Sequence, residues 1–193
     1  MRRPRPVDVI LVTHGHADHI GDLLPVARDT GATVVGVFEL CEWLTRRGLT
    51  NLVAMNKGGA VELSGVRVSM THARHSSSTV ENGQTVYLGE ACGYVVTLEN
   101  GLRIYYAGDT SIFGDMKLLG ELYRPDIAFL PIGDRYTMGP EAAATACRLL
   151  GVRQVVPMHW GTFPSLTGTP DALRAHLGGT VEVLELRPGE TAE

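Results

Sequence analysis

The sequence predicts an α/β protein whose sheets carry helices on their outer faces. Three observations carry that prediction. The first and last parts of the chain alternate strand-length apolar runs with helix-length segments. The middle part switches to short alternating runs broken by glycine, the pattern of hairpins. The chain has 193 residues, 44% of them hydrophobic, which suffices for one domain with a true core.

In order, residues 8–13 read as a strand buried on both faces, because the run is apolar without alternation. Residues 20–30 read as a helix stopped by Gly31, with Pro25 near its first turn, where a missing N–H costs little. "ATVVGVFE" (32–39) is a second apolar strand, "LCEWLTRRG" (40–48) a short helix ending at Gly48, and "LTNLVAMN" (49–56) starts a third strand. Residues 59–75 alternate around Gly65 as a hairpin, with Val66, Val68 and Met70 on one side. Residues 93–109 hold Asn100-Gly101 between two β-rich runs, a strong short-range hairpin signal. Alternation of helix and strand then returns. Residues 116–124 are helical, 126–133 a strand, and 140–150 a helix framed by Pro140 and Gly151. Residues 152–160 form a strand, 169–179 a helix opened by Thr169 and Pro170, and 181–189 a last strand.

Composition narrows the function. Lys plus Arg is 17 and Asp plus Glu is 21, a net charge of -4, so no polyanion-binding surface is indicated and nucleic acid is not an expected partner. The "MRRPR" start lacks the apolar stretch of a secretory signal. No apolar run is long enough to span a membrane. Cys41, Cys92 and Cys147 lack CxxC spacing, so a disulfide framework is not expected and a reducing cytoplasm is the default location.

The chemistry concentrates in "VTHGHADH" (12–19). His14 and His16, two apart on extended chain, point the same way. Asp18 and His19 follow at the turn into the helix. Imidazole and carboxylate suit zinc, iron or manganese. Side chains at this spacing do not easily converge on one ion, so two neighbouring ions are expected. A chance cluster of polar loop residues is the competing reading; the buried strand feeding the loop argues against it. His72, His75, Asp109 and His159 also stand at or just beyond strand-like runs, and strand ends in α/β sheets converge on one rim where ligands collect. Spacing does not rank His72 against His75. Taken alone, Asp109 could equally be a turn acid or helix cap. His176 reads as an ordinary helix-end histidine. The loop 131–140 offers Asp134, Arg135, Tyr136 and Thr137, either to a small-molecule substrate or merely to solvent. Ser76–Ser78 lack the G-x-S-x-G elbow of a serine nucleophile, and no glycine-rich phosphate loop is present.

"THGHADH" resembles the H-x-H-x-D-H signature of the metallo-β-lactamase superfamily. With "HSS", "AGDTSIFGDMKLLGELYRPD", "PIGDRYTMGPEAAA" and "PMHWGTFP", nearly the whole chain is similar to the UPF0173 family of metal-dependent hydrolases, related to UlaG-like lactonases. The resemblance implies a four-layer αββα sandwich across residues 1–193. It implies that His14, His16 and His75 hold one ion, that Asp18, His19 and His159 hold a second, and that Asp109 bridges them. It selects His75 over His72, leaving His72 as a neighbour of the ligands. It also implies strands ahead of the first one seen here. With thirteen residues before His14, the domain is expected to be N-terminally shortened, with a sheet face exposed or covered by a partner subunit in a homo-oligomer. The expected activity is hydrolysis of an ester, lactone, phosphodiester or related bond by water activated between two divalent ions, zinc first and Mn2+ or Fe2+ as alternatives, with Asp18 and Asp109 catalytic. The alternative is a non-hydrolytic metal-binding or assembly protein on the same scaffold.

Overall fold

The computed structural model describes residues 6–191; the basic opening pentapeptide lies outside them. The first apolar run forms β1 (Val9–Leu11), half-buried along its length rather than buried on both faces. Two short helices replace the single helix expected over 20–30. These are α1 (Ala17–Ile20) and α2 (Leu23–Thr30). They part at Gly21 and Asp22, where glycine's weak helix propensity and the flat ψ of 3° at Asp22 break the run. Pro25 falls in the first turn of α2, and Gly31, at φ 69°, closes it by donating to the Ala27 carbonyl. β2 (Thr33–Val37) ends two residues sooner than expected, because α3 (Phe38–Thr45) already begins at Phe38.

After β3 (Leu52–Met55) come the two strands of the expected Gly65 hairpin, β4 (Ala60–Leu63) and β5 (Val66–His72), antiparallel with Val61 opposite Val68. A further hairpin, not anticipated, follows as β6 (Ser78–Glu81) and β7 (Gln84–Tyr87), turning at Asn82 and Gly83, both at positive φ. β8 (Cys92–Thr97) and β9 (Arg103–Tyr106) pair antiparallel across Asn100-Gly101 as expected. The remaining elements are α4 (Met116–Tyr123), β10 (Ile127–Pro131), α5 (Pro140–Leu150), β11 (Gln154–Met158), α6 (Pro170–Leu177) and β12 (Glu182–Val183). The last strand is far shorter than the expected 181–189.

The strands form a parallel three-stranded sheet, β1-β2-β3, and a seven-stranded sheet in the order β12-β11-β10-β9-β8-β5-β4. Side-chain alternation sorts them into layers. On the small sheet Ile10, Val12, Val34 and Val37 meet Ile20, Leu23, Leu40 and Leu44 of the first three helices. Its other face, with Val9, Leu11 and Val35, meets Val68, Met70, Cys92 and Tyr94 of the large sheet. The far face of the large sheet, with Tyr105, Ala128, Leu130 and Val155, is covered by Met116, Ala143, Cys147 and Leu173 of α4, α5 and α6. Helices, sheet, sheet, helices is the αββα sandwich expected.

The cover between the sheets is incomplete. One cross-strand row runs Tyr94, Tyr106, Phe129, Val156. Tyr94 is fully buried beneath the small sheet, whereas Tyr106 is 38% exposed and Phe129 half-buried. Next to them Ile104 and Ile127 pair in the neighbouring row, also half-buried. The small sheet ends over β8, and β1 is its edge strand on the described residues.

Candidate metal centre

The carboxyl ends of β1, β9, β10 and β11 and the chain following β5 converge on one rim, as parallel strands in open sheets do. Close packing shapes the first loop. Gly15 separates His14 from His16 because a Cβ there would lie 2.4 Å from Leu88 Cδ1 and 2.9 Å from Leu88 Cβ. The Gly15 N–H donates to Ser77 Oγ (3.1 Å), tying this loop to the chain after His75. Gly108, at φ 62°, lets the β9 end approach Thr13 and the Cys92 carbonyl, where a side chain would intrude to under 3 Å. The result sets Asp109 beside the opening histidines.

Asp109 is the centre of the arrangement. It is 3% exposed, and its Oδ2 lies 3.1 Å from His159 Nε2, 3.4 Å from His19 Nε2, 3.7 Å from His75 Nε2 and 3.9 Å from His14 Nε2. Asp18 Oδ2 lies 3.5 Å from both His19 Nε2 and His159 Nε2. His16 Nδ1 is 3.1 Å from His14 Nε2 and 3.3 Å from His75 Nε2. Thr13 Oγ1, 3.1 Å from His14 Nδ1, fixes the buried ring from behind.

Burial pushes the His14 imidazole down to about 3, helped by His19 nearby. Burial likewise lowers His75, with His16, His19 and His159 adding to it against the pull of Asp109. His159 rises instead, because its hydrogen bond to Asp109 outweighs desolvation. Burial would raise Asp109, but the neighbouring His159 and His19 imidazoles overcome it and hold the carboxyl below the usual carboxylate range. A neutral His14 and an ionised Asp109 are the protonation states a cation needs.

These side chains fit a metal. His14, His16 and His75 form one group with donor atoms within 4.8 Å of one another, Asp18, His19 and His159 a second, and His14, His19 and Asp109 a third that joins them. Buried His19 Nε2, Asp109 Oδ1 and His159 Nδ1 have no hydrogen-bond partner. Orphaned polar atoms are costly in a protein interior, and a cation satisfies such donors. His159, at φ 55°, and Asp134, at φ 73°, hold a backbone conformation that non-glycine residues rarely adopt, and strain of this kind gathers at functional sites.

His72 is not among the donors. It ends β5 opposite Cys92, with its ring edge-on to Phe113 and Nδ1 3.4 Å from Lys57 Nζ, which also pairs with Glu90. A cavity of about 520 Å³ opens over the centre, lined by His16, Asp18, His75, Ser76, Asp109, Arg135, Tyr136, His159 and Phe163. Of the four loop residues singled out in the sequence, Arg135 and Tyr136 reach it. Asp134 instead shapes the loop and Thr137 turns back to donate its N–H to the Asp134 carbonyl (2.7 Å), so neither lines the cavity. Ser76 and Phe163 line it without having been singled out as contacts; the position of Phe163 four residues past His159 was the signal available. A larger cavity, about 790 Å³, lies at the opposite rim between the ends of α4 and α5 and holds none of the donors. The three cysteines are buried and free. No described helix is long and apolar enough to cross a membrane.

Two sheets sandwiched between helices, with a His/Asp cluster on their common rim, define a protein of the metallo-β-lactamase class, and a family model described as a beta-lactamase superfamily domain matches residues 1–160. A UPF0173 metal-dependent hydrolase of Rubrobacter xylanophilus is 54% identical over 188 residues, 95% of this chain and 78% of the relative. Another from Methanopyrus kandleri is 46% identical over 189 residues, 96% of this chain and 82% of the relative. A solved metallo hydrolase from Ignicoccus hospitalis superposes with a TM-score of 0.86 at 36% identity, covering 97% of this chain and 79% of that one. The chain belongs to the UPF0173 family of metal-dependent hydrolases.

Proposed function

We propose that the protein is a binuclear hydrolase acting on an ester, lactone, phosphodiester or related bond of a small molecule. The observation that carries this reading is Asp109: one buried carboxylate oxygen within 3.9 Å of the ring nitrogens of four histidines, which belong to two separate donor groups. His14, His16 and His75 would hold one ion, Asp18, His19 and His159 the other, and Asp109 both. Zinc suits so many imidazoles best, with Mn2+ or Fe2+ as alternatives.

When bound, a pair of divalent ions lowers the pKa of a shared water toward neutrality and polarises the bond to be cleaved. The chain does the rest. Asp109 and its histidines set the spacing of the donors. Asp18, whose side chain is 49% exposed at the cavity, stays accessible to orient the water and to receive its proton, which it can return to the leaving group. The walls contributed by Tyr136 and Phe163 restrict water around the reacting atoms.

The test is elemental analysis of the purified protein together with hydrolysis of a lactone, thioester, phosphodiester and β-lactam panel, with zinc or manganese, before and after chelation. Two ions per chain are expected, with turnover abolished by chelation and restored by metal. Asp109→Asn is expected to lower turnover by roughly 100-fold or more and to reduce metal content. A folded protein that takes up no divalent ion overturns the reading.

A further inference from the structure

The cavity above the cluster carries information about what enters it. Arg135 is the one lysine or arginine among its lining residues. It is exposed, and among the described residues no carboxylate lies within ion-pair distance of it, whereas Arg67 pairs with Glu62 and Arg174 with Asp171. The two carboxylates that share its cavity, Asp18 and Asp109, face His19 and His159. Its guanidinium sits 5.6 Å from the ring centroid of Tyr136. Tyr136 and Phe163, 56% and 54% exposed, both line this cavity and so offer two aromatic surfaces to whatever enters it.

The loop that bears Arg135 and Tyr136 is anchored. The Asp134 N–H donates to the Met138 carbonyl (3.2 Å), the Thr137 N–H to the Asp134 carbonyl (2.7 Å), and the Met138 N–H to the Thr110 carbonyl (3.0 Å). Thr110 adjoins Asp109. Arg135 and Tyr136 are therefore tethered to the segment that supplies the central carboxylate, while Phe163 reaches the cavity from the loop after His159.

Resting on the hydrolase reading above, we infer that Arg135, Tyr136 and Phe163 select substrates with a flat apolar body that carries an anionic group, a carboxylate or a phosphate, away from the bond to be cleaved. Arg135 receives the distal anion, since a guanidinium pairs with either through parallel N–H donors. Tyr136 and Phe163 flank the body.

The probes are benzoate and terephthalate, which differ by one distal carboxylate, and 4-phosphonobenzoate, which replaces one carboxylate by a phosphonate. Each is titrated by calorimetry into the zinc-loaded protein, with metal content measured for every variant. Terephthalate is expected to bind the unaltered protein about tenfold more tightly than benzoate. Arg135→Gln erases that advantage and leaves benzoate unchanged, Arg135→Lys retains part of it, and Tyr136→Ala with Phe163→Ala weakens both probes. A larger gain for the phosphonate assigns the anion as phosphate, a larger gain for the dicarboxylate as carboxylate. An advantage that persists in Arg135→Gln, or none in the unaltered protein, overturns the inference while two bound ions leave the hydrolase reading standing. Failure to take up metal overturns both.

Discussion

Asp109 and His14 illustrate what a few residues must do for a cation site to exist before the cation arrives. Burying His14 holds its imidazole near 3, against about 6.5 in an unfolded chain. The unfolded chain therefore binds more protons between those values, so this contribution is fully present above the unfolded pKa and is lost as pH falls toward 3. For the protein in chelator, His14 is expected to cost roughly 2 kcal/mol on going from about pH 7.5 to about pH 5. His75 is shifted with the same sign. His159, raised by Asp109, has the opposite one: its stabilisation is present below its unfolded pKa and fades as pH rises through the folded value. Urea midpoints at the two pH values for the unaltered chain and His14→Asn isolate the His14 share; equal pH slopes would contradict it. Most of this cluster was legible in the sequence, because histidines two apart at a strand end have little else to do. His72 shows the limit. Its spacing to the apolar run is as good as that of His75; the resemblance, not the spacing, points to His75, and the placement of His72 beside Lys57 and Phe113 keeps it apart from the donors. Phe163 was missed because a single aromatic in a loop has no period, and its place four residues past His159 was the one signal it gave.

The elements were readable where punctuation was chemical. The helix from Pro140 to Leu150 starts with a proline and stops at a left-handed glycine, and its ends were predicted to the residue. Gly65 and Asn100-Gly101 marked their hairpins. The Asn82-Gly83 pair offered the same signal, yet the β6–β7 hairpin escaped because its flanks, "STVE" and "QTVY", are polar enough to read as loop. The early helix split because propensity at Gly21 and Asp22 acts over two residues, too few to interrupt the apolar pattern. At the last helix, Thr169 Oγ1 accepts from the Ala172 N–H (3.2 Å), a hydrogen bond that satisfies one of the free donors of the first turn. Thr169→Ala is expected to destabilise by about 1 kcal/mol. Thermal melts would register this as roughly 2–4 °C, against no change for Thr169→Ser.

At the scale of the molecule, the donors come from the rims of both sheets. His14, His16, Asp18 and His19 follow β1 of the small sheet, while Asp109 and His159 follow β9 and β11 of the large one. Ions held by both would join the halves of the sandwich. Zinc at about a hundred times its dissociation constant adds about 2.7 kcal/mol per site, so with both sites filled the melting temperature is expected to rise by roughly 10–20 °C and to fall back on chelation. Calorimetric scans of the unaltered protein and Asp109→Asn check this, since the variant should gain little. The four-layer order was legible because each strand presents one apolar set to helices and another to the opposite sheet. The reach of the small sheet over the large one was not, because alternation reports that a face is apolar and not how far its cover extends.

That limited reach has a price in solution behaviour. Where the row from Tyr94 to Val156 emerges at Tyr106, water touches a ladder of rings and branched carbons, Tyr106 with Phe129 and Ile104 with Ile127, that the rest of the sheet keeps dry. An amphiphilic dye such as ANS should brighten on the native state, well below the thermal transition, and dim when Tyr106→Glu places a charge there. If the dye does respond there, the folded molecule itself, with no unfolding, offers an apolar ledge through which copies can associate as concentration rises.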